Sequence, residues 1–170
     1  MPIESFEKFT PRVHERAFVH PMATLIGDVE VGEEASIWPS AVLRADHGKI
    51  QIGARTSIQD GTVVHVTEGL STTRIGDHTT VGHRVVLHGC KVGNHCLVGM
   101  GSVLLDNAEL GDFCLLGAGS LVTQNKIFPP KSFLLGSPAK RVREVTAQEL
   151  EWIEYSWLAY QDLAHRYSKK

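Results

Sequence analysis

The chain has 170 residues, of which 42% are hydrophobic and 21% are charged, a composition that is ordinary for a globular protein with one core. Its formal net charge of −2 at pH 7 gives no electrostatic basis for binding nucleic acid or an anionic membrane surface. No apolar run approaches the roughly 20 residues of a membrane span, and residues 1–10 lack the apolar core of a secretion signal. The three cysteines have no disulfide spacing and fit a reducing compartment. We therefore expect a cytoplasmic protein without nucleic-acid or membrane partners.

An aliphatic residue recurs every six positions along most of the chain. The positions are Val31, Ile37, Leu43, Ile52, Ile58, Val64, Ile75, Val81, Leu87, Val92, Val98, Leu104, Leu110, Leu116 and Val122, closed by Phe128. A small residue follows four positions later in many repeats, as at Ala35, Thr56 and Ser102. A period of six does not match the 3.6 of an amphipathic helix, and each of the frequent glycines would cost a helix interior about 1 kcal/mol.

This period predicts a coil of short strands, three to a turn, with the aliphatic residues inside and the small residues at the corners. Glycine and asparagine are expected to allow positive φ at the turns. Successive coils would stack at the strand spacing of about 4.8 Å. The repeat covers about residues 13–140 and resembles that of the hexapeptide-repeat family, whose coils are left-handed. We predict an all-β solenoid, a left-handed parallel β-helix with a C-terminal α-helix.

The C-terminal segment has a different pattern. Thr146 and Glu149 form a capping box at its start. Apolar residues then recur at helical spacing, at Leu150, Ile153, Trp157, Tyr160, Ala164 and Tyr167. We predict one amphipathic helix over about 147–167, folded back along the coil, so that the chain divides into a β-helix of residues 1–145 and a helical segment of 146–170. Trp157 and Tyr160 are expected to pack on the coil, and a second role for Tyr160 near a site stays open.

Three breaks interrupt the six-residue period. The segments Leu43–Ile52, Val64–Ile75 and Leu87–Val92 are nine, eleven and five residues from one aliphatic position to the next. Interpreted as two corner loops and one trimmed corner, these breaks preserve the three faces of the coil. The first residues of the three segments then stack on one face, and Ile58 and Val81 stack on a second face. Function in a solenoid often lies where insertions project from one edge.

The register predicts a metal site formed by three histidines. Arg44, His65 and His88 each follow an inward aliphatic residue of the first face, so they form an outward ladder. His65 and His88 then have backbones about 5 Å apart, within reach of one metal ion. His83 lies on another face and could join that ion only from the neighbouring subunit of a closed threefold trimer. Asp60 occupies the equivalent place one turn earlier and could orient the His83 ring.

The competing interpretation is that these are unrelated surface histidines. The remaining histidines lack such an arrangement and are predicted to be ordinary exposed or hydrogen-bonded side chains: His14, His20, His78, His95 and His165.

At these positions the sequence is similar to the γ-class carbonic anhydrases and their close bacterial homologues. The matching segments are residues 43–46, 58–61, 64–65, 81–83, 87–90 and 135–140. The resemblance implies a homotrimer with Zn²⁺, or Fe²⁺ or Co²⁺, at each subunit interface, held by His65 and His88 of one subunit and His83 of the next. It also implies reversible hydration of CO2 to bicarbonate by a metal-bound hydroxide. Three neutral imidazoles leave the fourth position of the metal open for that water.

The resemblance also assigns the remaining site residues. Arg44 and Asp46 resemble the intersubunit ion pair of the family, and Gln59 resembles the residue that contacts the metal-bound water. His47 stands where the family has a glutamate, and the longest insertion is short for the family, with Glu68 as its only acid. His47 could relay protons, since an unperturbed histidine titrates near neutral pH, or it could be a loop residue without that role.

Two other functions compete with carbonic anhydrase. Hexapeptide-repeat acyltransferases share the coil, often use a catalytic histidine and bind coenzyme A or an acyl carrier. A metal-binding scaffold without catalysis is the third possibility. Metal content distinguishes the acyltransferase from the other two, and hydration activity distinguishes the enzyme from the scaffold.

Overall fold

The computed structural model describes residues 3–169 as a left-handed parallel β-helix followed by one α-helix. The first strands of the coil are β1 Ile3–Glu4, β2 Arg12–Val13, β3 Phe18–Val19, β4 Thr24–Val31, β5 Ser36–Ile37, β6 Val42–Ile52, β7 Ser57–Ile58, β8 Val63–His65, β9 Thr73–Ile75 and β10 Thr80–Val81. They are followed by β11 Val86–His88, β12 Lys91–Val92, β13 Leu97–Val98, β14 Val103–Leu104, β15 Glu109–Leu110, β16 Leu115–Leu116, β17 Leu121–Val122, β18 Ile127–Phe128, β19 Ser132–Gly136 and β20 Ala139–Glu144.

The strands form the three faces of the coil. We call face A the stack of β8, β11, β14 and β17 together with the first halves of β4 and β6. Face B is the stack of β2, β9, β12, β15 and β18 together with the second halves of β4 and β6. Face C is the sheet β20-β19-β16-β13-β10-β7-β5-β3. All neighbouring strands pair in parallel except the hairpin of β19 and β20.

The core lies where the repeat predicts it. Every aliphatic position of the six-residue series is buried, with at most 5% of its surface exposed, and the small corner residues are at most 1% exposed. Leu43, Val64 and Leu87 are direct neighbours on face A, and Ile58 pairs with Val81 on face C. The predicted register is therefore confirmed. The three cysteines are free and buried.

Glycine and asparagine allow positive φ at the turns, as expected, but they are not the only residues that do so. Positive φ occurs at bulky residues such as His78 (54°) and His95 (50°), as well as at glycine and asparagine. The glycine that directly follows an aliphatic residue serves close packing between coils instead. A Cβ on Gly99 would lie 2.4 Å from the backbone nitrogen of Ala118 in the next coil, a distance that no real Cβ can adopt.

The first insertion is not a loop. Residues Leu43–Ile52 belong to the continuous strand β6, which passes from face A to face B and pairs with β4 at residues 42–45 and again at 50–52. The three inserted residues do lie at the corner, but they form a bulge within β6, opposite the register shift between Gly27 and Val29, and not the loop that we expected. The second insertion does form a loop, between β8 and β9, in which the Ser71 hydroxyl accepts a hydrogen bond from the Thr67 backbone at 3.1 Å.

The helix α1 spans Ala147–Ser168, within a residue of the prediction. Thr146 and Glu149 form the predicted capping box, which satisfies two otherwise free backbone donors. No helix within residues 3–169 is long and apolar enough to cross a membrane.

The helix packs on face C, against β3, β5, β7 and β10. Ile153, Trp157 and Ala164 are buried and Tyr160 is half-buried, as predicted. Tyr167, the last residue of the apolar series, keeps 41% of its surface exposed because it lies at the helix end and contacts the coil edge-on, with ring centroids 5.5 Å from Trp38.

The outward sides of the three faces differ in chemistry. Face B carries a charged ladder in which Lys91 and Glu109 are ion-paired at 2.7 Å. On face C, α1 covers the strands β3, β5, β7 and β10. Face A carries a half-exposed line of aliphatic side chains, one per coil, which we call the apolar stripe: Val42, Val63, Val86, Val103 and Leu121.

Candidate functional site

His65 and His88 form a close pair at the outer edge of face A. They end strands β8 and β11 and are direct neighbours in the parallel register. Nδ1 of His65 lies 3.2 Å from Nε2 of His88, and the side chains are only 16% and 30% exposed. The sequence spacing placed them one coil apart, and the strand pairing brings their rings together.

A carboxylate holds the outer nitrogen of each ring. Nε2 of His65 lies 2.9 Å from Oδ1 of Asp46, and Nδ1 of His88 lies 3.2 Å from Oδ1 of Asp106. An ionised carboxylate only accepts hydrogen bonds, so each outer nitrogen carries a proton. In the neutral tautomers that follow, the two facing nitrogens both present lone pairs. Two lone pairs at this separation repel each other unless a proton or a metal ion lies between them.

Both carboxylates are held in the charged form. Burial raises the pKa of Asp46, but hydrogen bonds from His65 and Arg44 outweigh it and lower that pKa to about 2. Arg44 pairs with Asp46 inside one protomer. Burial also opposes ionisation of Asp106, and the hydrogen bond from the Ser71 hydroxyl contributes most to lowering its pKa below the usual value.

His83 lies beyond the end of β10 and has the same kind of partner. Its Nδ1 is 2.9 Å from Oδ2 of Asp60, as the register predicted, and its Nε2 is 3.5 Å from the Tyr160 hydroxyl. Burial and the Asp60 charge raise the Tyr160 pKa, so the phenol stays protonated. Within residues 3–169 of one protomer, no three His, Cys, Asp or Glu side chains converge as metal ligands.

The other predicted residues divide between the two histidine locations. Gln59 is 4% exposed and lines the same cavity as His83. His47 and Glu68 lie near His65: Nδ1 of His47 is 3.5 Å from Oε2 of Glu68, and the His47 and His65 ring centroids are 5.9 Å apart. The structure thus forms two half-sites, one around His65 and one around His83.

Sequence reasoning missed Asp106. Besides His88 it accepts hydrogen bonds from the hydroxyls of Ser71 at 2.5 Å and Thr67 at 3.1 Å, so it links the loop after β8 to the histidine. Asp106 is 18 positions from His88 in the chain and belongs to the next coil. The register that pairs β11 with β14 places its backbone in that coil but does not show that its side chain reaches back to His88.

Comparisons with known proteins agree with this fold. Residues 72–105 and 89–124 match the family described as bacterial transferase hexapeptide (six repeats). The chain is 46% identical over 160 residues to the protein YrdA of Escherichia coli, which covers 91% of this chain and 87% of YrdA. The chain therefore belongs to the hexapeptide-repeat transferase family.

Two solved structures are similar along the whole chain. A hexapeptide transferase family protein from Anaplasma phagocytophilum superimposes with a TM-score of 0.94 at 40% identity, covering 98% of both chains. A Bacillus cereus protein provisionally described as an acetyltransferase superimposes with a TM-score of 0.96 at 38% identity, covering 98% of this chain and 96% of that one.

Proposed function

We propose that the chain is a metalloenzyme of the γ-carbonic-anhydrase kind, which hydrates CO2 reversibly at metal centres shared between the subunits of a homotrimer. One observation carries the proposal: each of His65, His83 and His88 has one ring nitrogen on a carboxylate. Histidines that bind metals almost always donate their other N–H to such a partner, which fixes the tautomer and turns the free lone pair outward.

The His65–His88 pair fits a metal ion. With metal–nitrogen bonds of about 2.0–2.1 Å, two ligands of a tetrahedral ion lie about 3.3 Å apart, close to the 3.2 Å between the facing nitrogens. Imidazole donors suit Zn²⁺, Fe²⁺ and Co²⁺ alike. The third ligand in this proposal is His83 of the neighbouring subunit, whose Nε2 points away from its own Asp60.

A bound ion would supply the Lewis acidity that makes a nucleophile from water near neutral pH. The chain would contribute orientation and proton movement. Gln59, buried beside His83, would orient the attacking water through its amide. His47, with its imidazole near both His65 and the exposed Glu68 carboxylate, would take up the released proton and pass it to solvent.

The chemistry of the faces supports the proposed trimer. Face B carries charge and α1 packs on part of face C, so we assign the apolar stripe on face A to the contact with another subunit. His65 and His88 lie at the edge of that face. A closed threefold ring would cover the stripe in every copy and bring His83 of one subunit beside the histidine pair of the next.

A CoA-dependent acyltransferase is the second candidate. The family description and the Bacillus cereus neighbour favour it, and the His83–Asp60 pair has the form of a general base oriented by a carboxylate. That reaction needs neither a metal nor the His65–His88 pair, so the two functions make opposite predictions about metal content.

The test is metal analysis and stopped-flow CO2 hydration on protein purified without air or chelator. We expect one ion per subunit and hydration activity, both lost in His88→Ala and both kept in His165→Ala, which removes an exposed helical histidine. A wild type without metal contradicts the proposal and favours the acyltransferase. Metal without hydration contradicts the enzymatic part and favours a scaffold.

A further inference from the structure

Apolar side chains are exposed on the surface next to His83, between α1 and the coil. Met100 on the coil and Trp152 and Tyr155 on the helix are each more than half exposed, at 58%, 56% and 60%. They line a groove of about 260 Å³ that reaches His83 at one end. Methionine and aromatic residues are enriched where proteins contact one another, and a group of them left exposed marks an interaction site.

The backbone register shows where this groove lies along the coil. The carbonyl of His83 accepts a hydrogen bond from the Gly101 backbone at 2.8 Å, and that of Met100 accepts one from the Gly119 backbone at 2.9 Å. His83 and Met100 are therefore equivalent corner positions in two consecutive coils. His83 precedes β11, which ends at His88, whereas Met100 precedes β14. The groove thus begins at the level of His88 and extends one coil towards the C-terminal end of the solenoid.

The loop after β8 carries an exposed leucine at the level of the groove. Leu70 is 48% exposed and lies between Thr67 and Ser71, whose hydroxyls bond to Asp106 at 3.1 and 2.5 Å. Asp106 follows β14, the strand that Met100 precedes. The tip of the loop is therefore held at the level of the coil to which Met100 belongs.

A threefold ring brings the loop and the groove together. The proposed metal centre joins His83 of one subunit to His65 and His88 of the next. Because His83 and His88 belong to the same coil, the coils of neighbouring subunits stand level in a closed ring that makes this centre. The loop of one subunit then lies at the same height as the groove of the next, directly beyond the shared histidines.

The charges next to the two surfaces are complementary. Arg84 lies beside Met100, is exposed and forms no ion pair among residues 3–169. On the loop, the side chain of Glu68 is 81% exposed. Opposite charges at the edge of a contact favour one register between two subunits. A loop with a leucine and a glutamate thus matches a groove that has apolar walls and an arginine at its edge.

We propose that the groove between α1 and face C is the docking site for the loop after β8 of the neighbouring subunit, with Leu70 inserted beside Met100 and Trp152. This inference rests on the proposed trimer and deepens it, because it gives α1 a role in assembly next to each metal centre. Docking of the loop links the helix of one subunit to the histidine pair of the next.

Cysteine cross-linking of the full chain tests this contact. Leu70→Cys and Met100→Cys in one chain should form a disulfide across every interface when the thiols are oxidised with diamide. The product is a covalent trimer on a denaturing gel without reductant. The three native cysteines are buried, so the wild type treated in the same way should give no covalent trimer.

Met22 provides the matched control, because it is 64% exposed and lies at the same corner of the coil. The equivalent positions in consecutive coils, connected by backbone hydrogen bonds, are Met22, Pro39, Asp60, His83 and Met100. At about 4.8 Å per coil, Met22 is about 19 Å from Met100, whereas the Cα atoms of a disulfide lie about 4.4–6.8 Å apart. Leu70→Cys combined with Met22→Cys should therefore give no covalent trimer.

Two outcomes overturn the proposal: no cross-link between Leu70→Cys and Met100→Cys, or equal cross-linking in the Met22 control. Sedimentation and metal content of the reduced Leu70→Cys/Met100→Cys protein separate this failure from a failure of the proposed function. A metal-bound trimer that does not cross-link contradicts only the docking of Leu70. A monomer without metal contradicts the proposed function as well.

Discussion

Asp106 is the carboxylate on which the geometry of His88 depends. It bonds to the ring nitrogen that faces away from His65 and also to two hydroxyls of the loop after β8. Without it, His88 loses the partner that fixes its tautomer, while the coil keeps its core because Asp106 lies outside it.

We therefore expect Asp106→Asn to lower metal affinity by about 10–100-fold with little change in the fold. Competition against a chelator of known affinity measures the change. Asp162→Asn removes a carboxylate from an exposed ion pair on α1 and should bind metal like the wild type. Equal affinities in the two variants would show that Asp106 does not position His88.

The neighbours of a single residue were predictable wherever the repeat fixes its place in the coil. In a parallel coil a residue's neighbours are those one turn away, so spacing alone placed His65 beside His88 and Asp60 beside His83. Asp106 escaped detection because its role depends on how its side chain reaches back to the previous coil. The six-residue repeat does not show which side chain bonds to a given ring nitrogen.

At the scale of the elements, α1 packs against a stack of aromatic and histidine rings at one corner of the coil. The rings of His78 and His95 are stacked at 4.7 Å, and that of Phe113 continues the stack at 4.9 Å. From the helix, Trp157 lies edge-on to His78 at 4.6 Å, and Glu154 lies 2.6 Å from Nδ1 of His95.

The pH dependence of stability tests this contact. Burial, with help from His95 and Arg55, lowers the pKa of His78 below its ordinary 6.5, although Asp77 and Glu154 oppose the shift. His78 of the unfolded chain therefore binds a proton at a higher pH than His78 of the folded chain. As a result, His78 lowers the stability of the fold as the pH drops from 6.5 towards the lower pKa that His78 has in the folded state.

We expect His78→Gln to lose less stability than the wild type between pH 7.5 and pH 5.5, a range of about two units around the ordinary histidine pKa. Urea unfolding in the presence of a chelator measures it, and His14→Gln at an exposed position should behave like the wild type. A steeper loss in His78→Gln would contradict the assigned direction.

The start of α1 depends on its capping box. The Thr146 hydroxyl accepts from the Glu149 backbone at 3.3 Å, and the Glu149 carboxylate accepts from the Thr146 backbone at 2.8 Å. Thr146→Ala should lower the free energy of unfolding by about 1 kcal/mol, measured by urea denaturation. Ser168→Ala, at the exposed opposite end, is the control, and equal effects would show that the cap contributes nothing specific.

The helix ends were predictable because capping is local in sequence, whereas the docking contacts were not. His78 was expected to be an ordinary exposed or hydrogen-bonded side chain, yet its Nδ1 is buried without a hydrogen-bond partner. It occupies a turn position with positive φ, which the six-residue pattern does not distinguish from the other corners. The ring stack arises from three such corners in consecutive coils.

At the scale of the whole molecule, the proposed trimer depends on the chemical differences between the three faces. The repeat sequence predicts the coil, but the inward positions alone do not say which face another subunit covers. The outward residues lead us to propose face A, since the apolar stripe runs along face A and charge runs along face B.

We expect the wild type to sediment as a trimer and Val63→Glu, at the most exposed position of the stripe, to sediment as a smaller species. A charge buried at an interface without a partner strongly opposes association. Gln51→Glu introduces the same charge at an outward position of face B and should remain trimeric. Ultracentrifugation of the three proteins decides, and a trimeric Val63→Glu would contradict the assignment of face A.

The most direct test of the shared metal centre is the metal content of hybrid trimers. His83→Ala and His88→Ala should each bind little metal alone, because every interface lacks one ligand. When the two are co-expressed in equal amounts, each hybrid trimer contains one interface with His65 and His88 from one subunit and His83 from the next. Random assembly of closed threefold rings then restores about a quarter of the wild-type metal. A mixture that binds no more metal than either variant alone would contradict a centre shared between subunits.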